Sequence, residues 1–76
     1  MDELFNLLDA AQIPSEPVEI YIAQIAVNGG CTIEDFEVGV QAMLGADEII
    51  GSRMRYVIGV AMRRRANFNM MNAEAE

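Results

Sequence analysis

Residues 47–65, DEIIGSRMRYVIGVAMRRR, form the longest apolar-periodic run of the chain and hold every positive charge in it. At about 100° per residue, Ile50, Met54, Val57, Ile58 and Ala61 fall on one helical face. Ile49 and Val60 widen that face to about half the circumference, beyond the roughly 100° stripe that one core contact requires. Such a helix is one the other segments pack against, with surface left over for a partner. It sets the expected fold: all-α, a small four-helix bundle with a central C-terminal helix.

The remaining segments read as three shorter helices. Asp2 is placed to cap a first helix from Glu3 to Gln12, with Leu4, Leu7, Leu8 and Ala11 at helical spacing. Ile13-Pro14 ends it, because the residue before proline is pushed out of the helical region. Ser15 opens the next segment, and Pro17 suits a first turn, where its missing N–H costs nothing. The second helix runs from Glu16 to Asn28 and stops at Gly29-Gly30. Its face is Val18, Ile22, Ile25 and Ala26, with Ile20 and Val27 opposite. Val18, Ile20 and Ile22 also alternate as a strand would. Length and capping favour the helix. Thr32-Ile33-Glu34-Asp35 has the form of a capping box. The third helix follows from Ile33 to Leu44, with Ile33, Phe36, Val40, Met43 and Leu44 as its stripe and Gly45 as its end. Asp47 is the expected cap of the fourth. Residues 1–65 are thus one helical domain. Residues 66–76, ANFNMMNAEAE, show no periodicity and read as a flexible acidic tail.

Seventy-six residues bury only about 60–65% of their unfolded surface, so the core is marginal. Cys31 is alone and there is no His, which removes a disulfide within the chain and makes a structural zinc site unexpected. An apolar fraction of 53% favours oligomerisation as the remaining source of stability. No segment reaches the roughly 18 apolar residues of a membrane span, and the acidic start does not read as a signal peptide. A lone Cys fits a reducing compartment, so a cytoplasmic location is expected.

Nucleophilic chemistry needs a base beside the nucleophile. Ser15, Ser52, Thr32, Cys31, Tyr21 and Tyr56 have no His or Lys to activate them. Cys31 precedes a helix start, where a dipole can lower a thiol pKa, but a small buried thiol is the simpler reading. Glu34 and Glu37 read as a solvated face. No EF-hand loop, P-loop or dinucleotide fingerprint is present. Leu44-Gly45-Ala46-Asp47 resembles the start of the carrier motif of acyl carrier proteins. That family carries its phosphopantetheine serine directly after the aspartate, where this chain has Glu48, so the resemblance stops at four residues. A helix-turn-helix across Gly29-Gly30 would present Glu34, Asp35 and Glu37 to phosphates, which repel them. No enzymatic activity, cofactor, metal or small-molecule substrate is expected.

The charge is segregated. Residues 1–50 carry ten acids and no base, whereas residues 51–65 carry five Arg and no acid; the net charge is −7. Arg without Lys favours bidentate pairing to carboxylate or phosphate. The expected function is therefore a small acidic protein–protein interaction module: a regulatory, inhibitory or structural subunit, of the size common among phage and mobile-element accessory proteins. Its expected contact residues are Arg53, Arg63, Arg64 and Arg65 on one side and Glu34, Asp35 and Glu37 on the other. A protein partner or a homo-oligomer is expected. The alternative is a nucleic-acid contact through the Arg-rich end of the last helix.

Overall fold

A computed structural model of the chain describes the backbone of residues 2–49 and 51–75, and the side chains of residues 3–49 and 51–71. These contain four helices and no strand: α1 (Asp2–Ala10), α2 (Pro17–Asn28), α3 (Ile33–Gly45) and α4 (Arg53–Ala75). The fold is a small all-α bundle, and the alternating run in Val18 to Val27 is helix. α4 packs against α2 and α3, and α1 packs on α3. The start of α2 lies beside the start of α4, through Glu19 and Ser52, and its end beside Met62 and Ala66. α2 and α4 are therefore parallel. The start of α3 meets Arg64 and Arg65 instead, while Met43 near its end lies beside Arg53, so α3 is antiparallel to α4.

α1 and α2 end by the same device. Gln12 adopts φ 57°, with its N–H bonded to Asp9 O and the Ile13 N–H to Leu8 O. Gly30 adopts φ 109°, with its N–H bonded to Val27 O and the Cys31 N–H to Ala26 O. This left-handed stop reuses the last carbonyls and turns the following residue inward. Ile13 and Cys31 are accordingly core residues. α1 thus ends at Ala10, two residues short of the expected Gln12, because the turn is made before Pro14 intervenes.

α4 differs most from expectation. Asp47 does not cap it. Residues 46–49 and 51–52 lie outside any helix, with Gly51 at φ 90°, and Ser52 is the cap: its Oγ accepts the Arg55 N–H at 3.3 Å. Ile50, expected on the apolar face, lies outside the described residues. At the other end the helix runs to Ala75, so the segment expected as a tail is helical. Ala, Met and Glu are favourable helix formers there. Residues 66–71 are exposed, which is why they carry no core-facing apolar stripe. A 23-residue helix is about 35 Å long, and it sets the longest dimension of the molecule, 40 Å.

The core lies between α3 and α4. Met54, Val57, Ile58 and Ala61 are buried against Phe36, Val40 and Met43, and Leu4 and Leu8 join from α1. Leu44, expected in the α3 stripe, is exposed, because α3 ends one residue later and the loop turns away.

Candidate functional site

Two carboxylates are buried among the described residues, Glu19 and Asp35. Both are the third residue of their helix, and both do two jobs. Glu19 Oε1 accepts the Glu16 N–H at 3.0 Å, closing the first turn of α2. Its Oε2 accepts the Ser52 hydroxyl, whose oxygen in turn caps α4. Asp35 Oδ2 accepts the Thr32 N–H at 2.8 Å, while Thr32 Oγ1 accepts the Asp35 N–H at 3.4 Å, the capping box that the sequence spells. Asp35 also accepts Arg65 Nε at 2.9 Å and is bonded by Arg64. Each box thus supplies a clamp on α4, one at its first turn and one about three turns on. No buried side-chain polar atom among the described residues lacks a hydrogen-bond partner.

The electrostatics follow. The Glu16 N–H and the Ser52 hydroxyl lower the Glu19 pKa against the cost of burial, and the charge of Arg55 lowers it further. Burial pushes Asp35 up, but the Thr32 N–H, the two guanidinium hydrogen bonds and the charge of Arg65 outweigh it and hold the carboxyl below its usual range. Burial, with the charge of Asp35 added, raises the Cys31 thiol despite Arg65. Cys31 is therefore a packed, weakly reactive thiol. A Glu19 carboxylate held below its usual pKa is a poor base for Ser52, and the pair works as a joint between helices.

The expected contact residues separate into two groups. Asp35 is 0% exposed, so it offers no surface to a partner; Arg64 and Arg65 spend their hydrogen bonds on it. Arg65 also lies over the Phe68 ring, 4.7 Å from its centroid. Three of the seven residues thus meet inside one molecule. Arg53, Arg63, Glu34 and Glu37 are exposed and remain separate. Glu34 and Glu37 line an open groove with Leu7, Val38 and Gln41, which Arg64 borders. Among the described residues no cluster of His, Cys, Asp and Glu could hold a metal ion, and no helix is long and apolar enough to cross a membrane.

One surface was not legible as a surface. α2 packs on the core through the fully buried Glu19, Ala23 and Ala26, with Ile22 half-buried beside them. Three larger apolar residues point out: Val18 is 50% exposed, Tyr21 64% and Ile25 49%. They recur at three- and four-residue spacing, so they form one stripe. Of the expected inward face, Ala26 is core and Ile22 packs against it, whereas Val18 and Ile25 face outward. Beside Ile25 the seam between α2 and α4 opens into a shallow groove lined by Gly29, Met62, Arg65, Ala66 and Asn69. The alternating apolar pattern of α2 contains both faces; only the closeness of α4 shows that the alanine face is the inner one.

No protein-family model, curated protein or solved structure matches this chain.

Proposed function

We propose that the chain is a small acidic protein–protein interaction module, a regulatory, inhibitory or structural subunit. The observation that carries this reading is the inversion of α2, with alanines inside and Val18, Tyr21 and Ile25 outside. Large apolar side chains clustered on a small charged protein mark a contact surface.

The arrangement of arginines weighs against nucleic acid. Arg64 and Arg65 are committed to Asp35, and the exposed Arg53, Arg55 and Arg63 point to different sides of α4 rather than forming one basic stripe.

The test is affinity capture with the full chain from extracts of the source cells, beside the variant Tyr21→Ser with Ile25→Ser. A specific protein retained by the parent and lost by the variant supports the reading. Titration with single- and double-stranded nucleic acid is run in parallel. Micromolar binding with a steep salt dependence would overturn the reading in favour of phosphate contacts.

A further inference from the structure

Resting on that reading, we infer that the outer face of α2, with Arg55 and Met62 of α4 beside it, binds the same face of a second copy of this chain. The two α2 helices lie antiparallel across a two-fold axis near Tyr21.

Charge selects the occupant. Residues 20–33 are fourteen consecutive positions without a charged side chain, in a chain of net charge −7. Two copies meeting on the α1 and α3 surface would bring Glu3, Asp9, Glu34 and Glu37 against their like, and the repulsion would be paid without return. A basic foreign partner would be drawn to that acidic surface and gain nothing from an uncharged stripe. Glu19 beside Val18 is buried, and with the helices antiparallel the exposed Glu16 of one copy faces the uncharged end of α2 of the other, so the stripe is where two copies can approach without bringing like charges together.

The ends of the stripe are complementary when the helices run antiparallel. Val18 and Ile25 are seven residues apart, so a two-fold axis near Tyr21 sets Val18 of one copy on Ile25 of the other. Tyr21 then meets its own equivalent, its ring over apolar surface and its hydroxyl at the wet edge. The arrangement also carries Arg55 toward the C-terminal end of the other α2. That end bears the negative pole of the helix dipole, and α2 has no basic residue in its last turn. Arg55 is free to serve there: its side chain is 61% exposed and stands 3.8 Å from Glu19, a loose contact. A two-fold arrangement makes each such contact twice and closes the assembly at two copies.

The measurement is sedimentation velocity of the full chain over a concentration series, with oxidative cross-linking. The expected result is a dimer at high micromolar concentration. Ile25→Glu should raise the dimer Kd at least about tenfold, because it sets a charge against the apolar Val18 of the other copy on both sides of the axis, and Arg55→Gln should raise it a few-fold. Circular dichroism should be unchanged in both, since neither residue is in the core. Tyr21→Cys should form a covalent dimer under mild oxidation, whereas Glu37→Cys, and the parent with its buried Cys31, should not. A parent chain that stays monomeric at several hundred micromolar overturns the proposal. So does a dimer indifferent to Ile25→Glu, or one that Glu37→Cys cross-links as readily. A monomer whose stripe variants still lose a captured foreign protein refutes the second copy alone. Micromolar, steeply salt-dependent binding of nucleic acid with no specific protein captured refutes the interaction reading itself.

Discussion

Gly39 and Val57 stand in backbone contact: a Cβ on Gly39 would lie 2.7 Å from the Val57 carbonyl oxygen and 3.0 Å from its Cγ1. Here α3 and α4 approach too closely to leave room for a side chain at Gly39. Gly39→Ala should cost about 1–3 kcal/mol through overpacking, although Ala is the better helix former by about 1 kcal/mol. Gly59, in the middle of α4, has open space where its Cβ would go. Gly59→Ala should therefore stabilise by about 0.5–1 kcal/mol. Urea unfolding of the two variants gives opposite signs if the crossing is where it is placed.

Gln12 sits at φ 57°, a conformation that costs a side-chain-bearing residue on the order of 1 kcal/mol. Gln12→Gly should raise the unfolding midpoint, while Gly30→Ala, at φ 109°, should lower it. If Gln12→Gly destabilises, the side chain makes a contact that outweighs the strain.

The fold was legible in the sequence because its helix signals are local. Thr32 and Asp35 spell a cap, Gly29-Gly30 spells a stop, and both act where they stand. The start of α4 was misplaced because Asp47 and Ser52 are both good caps. What decides between them is Ser52 reaching Glu19, a residue 33 positions away. The site was harder to read for the same reason. Asp35, Arg64 and Arg65 were each visible as charges, but 29 and 30 positions separate them, and nothing local says that they pair with one another rather than with a partner. On α2, Ala23 and Ala26 are inside because α4 comes close. Side-chain size alone would have put Val18 and Ile25 there.

Acid should loosen the clamps in a defined window. Glu19 and Asp35 have folded-state pKa values below their usual 4.5 and 3.8. A depressed carboxyl contributes stability above its unfolded pKa and loses it as the pH falls through the folded value. The urea midpoint should thus hold from neutral pH to about pH 5 and decline progressively below about 4.5. Glu19→Gln with Asp35→Asn should lower the plateau and flatten the decline. An unchanged slope in that variant would assign the acid sensitivity to other carboxyls.

Three of the four expected contact arginines, Arg53, Arg64 and Arg65, should respond to substitution in three different ways. Arg65 gives Nε to Asp35 at 2.9 Å, approaches Thr32 Oγ1 at 3.5 Å and covers the Phe68 ring, and its side chain is largely buried. Its loss leaves a buried carboxylate half paired, so Arg65→Ala should cost about 2–4 kcal/mol. Arg65→Lys should recover little of this, because a lysine has no fork to bond the carboxylate and stack at once. Arg64 also bonds Asp35, but from a position more open to water, so its pairing is partly screened and Arg64→Ala should cost about 1 kcal/mol. Arg53 is exposed at the first residue of α4, whose first turn has no acidic residue and whose dipole disfavours a cation. Arg53→Glu should stabilise by about 0.3–1 kcal/mol. Chemical unfolding of the single variants, with an Asp35→Asn cycle on Arg65, orders them. An Arg64→Ala loss equal to that of Arg65 would show that both guanidiniums hold Asp35 equally. A destabilising Arg53→Glu would show that Arg53 already has an acidic partner, and α4 would then be held at three points instead of two.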